Sequence, residues 1–421
     1  MEKVITRKLF YATIIGNIVE HYDKVLFALV APFIAPLFFP NSDPIIALVL
    51  IYLPIGLISR PLGALYWGYI GDRVGRKKAL YFSILGMSLC LLFTGLLPTY
   101  KTLGVLSTVF LHLQRGLICF FAAGEGPGAA LILIESVPKK SRDLMSSYYE
   151  MSSMLGTILA SVVITYLCFQ GKVEQYWRLL FILSGIIGFV GFWLRKGTFI
   201  TSAPELPLEK KASIPLKTLI RSQALPFIAI TLLTGFLYAN YRILSNLMNG
   251  YLPLVTSLTK AEMMGTHCLL LLYDFFLLPI FGLISKRIGK ERLITYALIS
   301  AALFVFPLFK ILNHPTLLNV LFLRMVLVTW GIALAAPFNF WAISLIEKAY
   351  RFRVLSLARA FGSQLIGGFA ISVSLLIYKK TNWIASPACY IFASAALSLV
   401  ALFALKRASS NARSKALSFD S

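Results

Sequence analysis

Acidic and basic side chains inside long apolar stretches are the residues of this chain that could do chemistry. Glu20 and Asp23 are three residues apart, so on a helix they share one face. A pair of carboxylates in an apolar setting could carry protons. The alternative is that Glu20 pairs with Lys24, four residues further on, and simply neutralises it.

A second acidic candidate is Glu125, which lies in the segment 124–128 (GEGPG), where small residues and a proline loosen a helix. It could carry a proton, or it could form a structural ion pair with Arg115. Arg115 itself could bind a substrate carboxylate through two parallel hydrogen bonds, or serve as a buried counterion. The proton-coupling candidates are therefore Glu20, Asp23 and Glu125.

The second half of the chain also carries polar candidates. His267 and Asp274 are seven residues apart and share a helix face, so they could form a proton relay or a polar cluster that lines a cavity. Arg242, Arg324 and Arg359 could be cavity cations, and we interpret them as clamps between helices.

Aromatic residues offer a further hypothesis, because a cage of rings can bind a quaternary ammonium group. The cage would be built from Tyr22, Tyr238, Tyr241, Trp330 and Trp341. Aromatic residues in membrane helices also serve as packing or interface anchors. The substrate-binding candidates are Tyr22, Arg115, Tyr238, Tyr241, Arg242 and Trp330.

Enzyme chemistry is not indicated by the sequence. There is no nucleotide-binding P-loop, the four His residues are dispersed, and no serine has the context of a nucleophile elbow. The five Cys residues lack metal-ligand spacing and are interpreted as packing residues. We therefore expect no enzyme activity, no cofactor and no metal site.

Composition fixes the class of protein. The 421 residues are 58% hydrophobic and only 14% charged, whereas soluble domains are about 25% charged. The mean hydropathy is +0.80. This predicts an all-α polytopic membrane protein. The net charge of +23 could suggest nucleic-acid binding, but the basic residues are spread over short loops, which argues against it.

Twelve apolar stretches are each long enough to span a bilayer. They are 10–37, 46–70, 79–97, 104–134, 145–169, 177–195, 218–245, 261–284, 292–312, 316–345, 355–377 and 384–405. The predicted domains are a six-helix half at 1–195, a cytoplasmic linker at 196–217, a second six-helix half at 218–405 and a tail at 406–421. If the N-terminus is cytoplasmic, inner segments hold 27 Lys and Arg and outer loops hold 7, which predicts that both termini are cytoplasmic.

One loop motif occurs in both halves. Residues 68–78 (GYIGDRVGRKK) lie between two apolar stretches, and residues 282–290 (GLISKRIGK) align with them at an offset of 214, without a gap. Lys286 stands where the first copy has Asp72. The first copy resembles the loop between the second and third helices of major facilitator transporters. The motif residues are Gly68, Asp72, Arg73, Gly75, Arg76 and Lys77.

The resemblance implies a secondary transporter of two parallel six-helix halves that works by alternating access. It also implies an inner-side latch made by Asp72 near the start of the eleventh helix at Val354. Residues 16–23 (GNIVEHYD), 59–64 (SRPLGA) and 351–358 (RFRVLSLA) resemble the metabolite:proton symporter branch, and most of all its proline/betaine transporters. His21 and Lys24 depart from that pattern.

The branch resemblance implies proton-coupled uptake of a small zwitterion such as proline or glycine betaine. The alternatives are uptake of a small carboxylate of the α-ketoglutarate, citrate or shikimate type, or a sensor that keeps a transporter fold without transporting. The expected partners are a small solute, protons and the lipid bilayer, with no nucleic acid. The expected form is a monomer in a bacterial plasma (inner) membrane.

Overall fold

The computed structural model describes residues 7–42, 56–201, 218 and 221–419, and these are helical apart from short turns. Contacts divide the chain into two compact units, Met1–Lys210 and Lys211–Ser421. Most of the predicted linker and the first part of the second predicted span lie outside the described residues.

The described residues of the first unit form six long helices. They are α1 (Arg7–Phe38), α2 (described over Gly56–Arg73), α3 (Arg76–Gly95), α4 (Val105–Glu135), α5 (Arg142–Phe169) and α6 (Val173–Thr201). A single turn of helix at Tyr100–Leu103 precedes α4. Helix α6 continues six residues past the predicted end of its span at 195.

The part of the second unit that the structure describes also has six long helices, two of which contain a π-helical turn. They are α7 (Ala224–Tyr241, then a π turn at Arg242–Leu247, then Met248–Val255), α8 (Lys260–Ile288), α9 (Lys290–Phe309), α10 (Leu317–Leu345), α11 (Arg351–Phe361, then a π turn at Gly362–Ile366, then Gly367–Thr381) and α12 (Pro387–Phe419). Helix α12 runs through most of the segment predicted to be a tail after 405.

Ten of the described helices, α3 to α12, are long and apolar enough to cross a membrane. The other two are α1, which carries Glu20, Asp23 and Lys24 in its middle, and α2, whose described part begins at Gly56. The prediction of an all-α polytopic protein with twelve spans in two six-helix halves is confirmed.

Both units use the same pattern of helix neighbours. In the first unit α1 packs on α4, α5 and α6, while α2 packs on α4, and α3 packs on α4 and α6. In the second unit α7 packs on α10, α11 and α12, while α8 packs on α10, and α9 packs on α10 and α12. Adding six to each helix number of the first unit gives the helix pairs of the second unit, so the sequence repeat is also a structural repeat.

The repeated loop motif has one backbone conformation in both units. Gly75, between α2 and α3, has φ 127° and ψ 135°, and Gly289, between α8 and α9, has φ 93° and ψ 136°. Side chains disfavour positive φ, so glycine is required at both turns. The two glycines are 214 residues apart, as the sequence alignment requires.

A second structural repeat was not found from the sequence. A short 3₁₀ turn precedes α5 at Lys139–Ser141 and another precedes α11 at Lys348–Tyr350. The arginine that starts each helix folds back: Arg142 Nε donates to the Val137 carbonyl at 3.2 Å, and Arg351 Nε donates to the Ile346 carbonyl at 2.9 Å. Each contact closes the corner between two consecutive membrane helices.

The start of α8 is held by a reciprocal cap. The Glu262 amide donates to the Thr259 hydroxyl at 3.2 Å, and the Thr259 amide donates to the Glu262 carboxylate at 2.7 Å. Hydrogen bonds from the Thr259 hydroxyl and amide hold the pKa of Glu262 below its usual value. The charged carboxylate is therefore part of the cap and favours a helix start at this position.

Candidate functional site

Helix α1 is fixed in rotation against α5, and this positions its ionisable residues. Asn17 Nδ2 donates to the Tyr149 carbonyl at 3.0 Å and to the Ser152 hydroxyl at 2.7 Å. The backbones approach closely because Gly156 has no side chain, and a Cβ there would overlap the Ile18 carbonyl oxygen. Glu20 and Asp23 lie about one and about two turns further along α1, and this rotation buries both side chains inside the unit.

Glu20 is the centre of an ion cluster. Its side chain is only 2% exposed, and its Oε1 lies 2.6 Å from Lys24 Nζ and 3.4 Å from an Arg60 guanidinium nitrogen. The pair with Lys24 is the alternative that the sequence offered. Arg60, on α2, was not identified as a partner from the sequence.

The other oxygen of Glu20, Oε2, is buried without a hydrogen-bond partner among the described residues. It faces Gly126 on α4, where an added Cβ would lie 3.1 Å away. A proton on this oxygen would convert it from an acceptor into a hydrogen-bond donor. The two oxygens of Glu20 therefore differ: one is held by cations and the other is available.

Asp23 has its own cation. One Arg115 nitrogen lies 3.1 Å from both Asp23 oxygens, and the Arg115 guanidinium stacks 3.9 Å above the Phe27 ring centroid. Asp23 is 2% exposed and Arg115 is 15% exposed. Arg115 therefore pairs with Asp23 in this structure.

Glu125 lies next to this cluster on α4 and is fully buried. Its Oε2 accepts a hydrogen bond from the Ser83 hydroxyl of α3 at 3.3 Å. The neighbouring Gly126 carbonyl accepts from the Tyr149 hydroxyl of α5 at 2.7 Å. Gly126 follows Glu125 in the sequence and faces Glu20, so it lies where α4 meets α1 and α5.

The aromatic candidates are divided between the units. Tyr22 is half-buried on α1 of the first unit. In the second unit Tyr241 packs against Gly331 of α10, where an added Cβ would lie 2.9 Å from its ring. Trp330, the residue before Gly331, is 6% exposed. The structure therefore brings Tyr241 beside the α10 segment that carries Trp330.

The remaining α7 candidates face α11. A Cβ on Gly367 would lie 2.5 Å from Tyr238 Cβ, and a Cβ on Gly368 would lie 4.0 Å from a nitrogen of Arg242. Arg242 opens the π turn of α7, and such turns frequently mark functional positions in helices. Trp341 is fully buried and packs against Phe338 on the same helix.

The other polar residues of the second unit bridge helices. Arg359 donates to Asn339 Oδ1 at 2.6 Å, linking α11 to α10. His267 lies 3.4 Å from an Arg324 nitrogen, so the structure pairs it with that arginine. Asp274 is buried on α8. In the described residues no group of three or more His, Cys, Asp or Glu side chains is arranged to hold a metal ion.

The loop motif residues form contacts at the α2–α3 corner. Arg73 donates to the Tyr69 hydroxyl and stacks 4.9 Å from that ring. Arg76 forms an ion pair with Glu135, at the end of α4, with an N–O distance of 2.5 Å. Asp72 is half-buried at the end of α2. The motif therefore ties α3 to α4 within the first unit.

Sequence comparison decides the family. Residues 15–372 match the sequence profile of the Major Facilitator Superfamily. The chain belongs to the Major Facilitator Superfamily. It is a multi-pass membrane transporter of small solutes, and it is not an enzyme.

Relatives within the superfamily cover the chain almost from end to end. The inner membrane metabolite transport protein YhjE of Escherichia coli (strain K12) is 28% identical, over 94% of this chain and 93% of that protein. The proline/betaine transporter of the same strain is 26% identical, over 94% of this chain and 82% of that protein. The solved structure of the major facilitator proton:xylose symporter XylE has a TM-score of 0.70 at 14% identity, with 95% of each chain covered, which supports the fold.

Proposed function

We propose that this protein is a secondary active symporter that takes up a small zwitterion of the proline or glycine betaine type together with a proton. It would work by alternating access in a bacterial plasma (inner) membrane, as a monomer with both termini cytoplasmic. The similarity to proline/betaine transporters and the charge bias of the loops support this.

The observation that carries the coupling proposal is the state of Glu20. One oxygen is occupied by Lys24 and Arg60, while the other is buried and has no hydrogen-bond partner in the described part of the chain. Because the two cations favour the ionised form of Glu20, a proton that binds the other oxygen would have to displace them, so Glu20 can exchange a proton for its ion pairs. Asp23 and Glu125, buried in the same unit, are the further coupling candidates.

The solute proposal rests on charge of both signs in one unit. A zwitterion needs a cation for its carboxylate and an anion for its ammonium group, and the first unit has both. The cation is more accessible than its acidic partner, because the Lys24 side chain is 29% exposed whereas that of Glu20 is 2% exposed. Lys24 is therefore the group best placed to meet the carboxylate of a solute.

A second candidate function is proton-coupled uptake of a small carboxylate. The structure favours it because three cations, Lys24, Arg60 and Arg115, lie beside the acidic residues of α1. Arg242 in the second unit would be a further cation for a dicarboxylate. The third candidate function is that of a sensor with a transporter fold, which would bind solute without accumulating it.

The test is uptake by the purified protein in liposomes with an imposed pH gradient and a panel of osmolytes and carboxylates. We expect accumulation of a zwitterion when the outside is acidic. Glu125→Gln and Asp23→Asn should abolish this uphill uptake but leave exchange of solute across the membrane, because exchange needs binding and alternating access without net proton flow. Glu174→Gln, a neutralised carboxylate at an exposed position of α6, is the matched control and should accumulate normally.

Several results would contradict these proposals. If Glu125→Gln and Asp23→Asn both still accumulate solute against its gradient, neither residue carries the proton. If Arg242→Ala abolishes binding while Glu20→Gln does not, the solute is an anion. Binding without accumulation under any gradient would indicate a sensor.

A further inference from the structure

The guanidinium of Arg324 is the most deeply buried charge of the second unit. Arg324 lies on α10, and its side chain is fully buried. One terminal nitrogen donates to the Met263 carbonyl at 3.2 Å and to the Thr266 hydroxyl at 2.9 Å. The other donates to Asn249 Oδ1 at 2.9 Å and lies 3.4 Å from His267 Nδ1. Arg324 thus joins α10 to α7 and α8.

All four acceptors are neutral groups. Because a guanidinium can only donate, His267 Nδ1 must accept, and the His267 ring is therefore neutral. Among the described residues no carboxylate lies within ion-pair distance of Arg324, and Arg324 Nε is buried without a hydrogen-bond partner. The site therefore holds one full positive charge and one unused donor.

The partly buried arginines of the first unit have a different environment. Arg60, Arg76 and Arg115 each have a carboxylate within 4 Å. An isolated charge in an apolar interior is strongly unfavourable, and neutral hydrogen bonds offset only part of that cost. Arg324 is therefore a buried cation that has no anionic partner among the described side chains.

We propose that Arg324, together with Asn249 and Thr266, is a binding site for the carboxylate group of a small solute. A carboxylate matches the planar fork of a guanidinium and carries a single negative charge, as the single positive charge requires. The way in lies beside Asn249, which is half-buried while Arg324 is fully buried. A carboxylate arriving there would replace Asn249 Oδ1 as an acceptor.

This assignment goes beyond the proposed function, because it adds to Lys24 a second carboxylate-binding group, which needs no coupling proton and lies wholly in the second unit. Arg324 is seven residues from the first residue of α10, about 10 Å along the helix axis. With the topology proposed above, that is the outer part of the membrane. A solute would therefore reach this site from the outer side of the membrane.

The test measures anion binding by the purified full-length protein and does not depend on transport. Thermal unfolding is followed in increasing sodium acetate, with sodium chloride at equal ionic strength as the comparison. We expect a saturable rise in Tm with acetate and a clearly smaller one with chloride, because binding to the folded state alone stabilises it. Equal responses to both salts, or no response to acetate, would overturn the assignment.

The deciding variant is Asn249→Asp, which places a resident carboxylate where Oδ1 already lies 2.9 Å from Arg324. It should raise Tm without acetate and raise the half-saturating acetate concentration at least tenfold. Asn339→Asp makes the same change opposite Arg359, at 2.6 Å, and should keep the acetate response of the unmodified protein. A full acetate response in Asn249→Asp would refute the site, even if Arg324→Gln fails to fold.

Discussion

Removal of Arg115 should destabilise the first unit, because the buried Asp23 carboxylate then loses its cation. In Arg115→Gln, the Asp23 carboxylate stays 2% exposed and loses the nitrogen that lies 3.1 Å from both its oxygens. Breaking a buried pair costs about 3–5 kcal/mol. Because Arg115 is 15% exposed, water can replace part of the interaction, and we expect a loss of about 3 kcal/mol in the free energy of unfolding.

The partner variant should cost less. Asp23→Asn leaves the charge on Arg115, which is the more exposed member and keeps its contact with the Phe27 ring at 3.9 Å, so we expect a loss of about 2 kcal/mol. The double variant leaves no charge without a partner. It should lose only about 2–3 kcal/mol in total, which gives a coupling energy of about 2 kcal/mol.

The assay is equilibrium unfolding in mixed micelles of dodecyl maltoside and SDS, followed by tryptophan fluorescence. The two single variants, the double variant and the unmodified protein form the cycle, and Glu174→Gln is the control for the loss of an exposed carboxylate. If the losses of the single variants add to that of the double variant within about 0.5 kcal/mol, the ion pair contributes no specific coupling and the reasoning fails.

Three further predictions concern the loops. Asp72→Asn should shift the resting state between inward and outward forms by about 1–2 kcal/mol, seen as changed cysteine accessibility from each side, and unchanged labelling would remove the latch. The double change Arg76→Gln and Lys77→Gln should lower expression and Tm, whereas a normal expression level with a large rise in the half-saturating solute concentration would contradict this. Gly289→Ala should cost about 1–2 kcal/mol through its φ of 93°, while Gly265→Ala, in open space inside α8, should be stabilising by about 0.5–1 kcal/mol in the same unfolding assay.

Local features of the fold could be predicted from the sequence. The twelve spans follow from runs of apolar residues, and the repeated loop motif places a glycine at both positive-φ turns. The contact between Glu20 and Lys24 follows from the helical period alone. Helix ends were less accurate, because α12 continues well past 405 without a sequence signal that stops it.

Contacts between helices could not be predicted in the same way. The pairs Glu20–Arg60, Asp23–Arg115 and Ser83–Glu125 join residues between 40 and 92 positions apart. Which residues meet depends on the rotation of each helix about its axis. Helices that are apolar on all sides carry no hydrophobic face that would fix this rotation. The sequence likewise has no local pattern that predicts the π turns of α7 and α11.

The balance of charge in the first unit has an electrical consequence. Three acidic side chains, Glu20, Asp23 and Glu125, lie in the same unit as three basic ones, Lys24, Arg60 and Arg115. One elementary charge moved through a membrane potential of 100 mV changes the free energy by about 2.3 kcal/mol. In their ordinary ionised forms these six groups sum to zero, so they would add no net charge to the step in which the empty carrier reorients. In the proposed symport cycle, the charge that this unit moves through the membrane potential would then be that of the proton and of the solute, while Arg324 would contribute a charge of its own in the second unit.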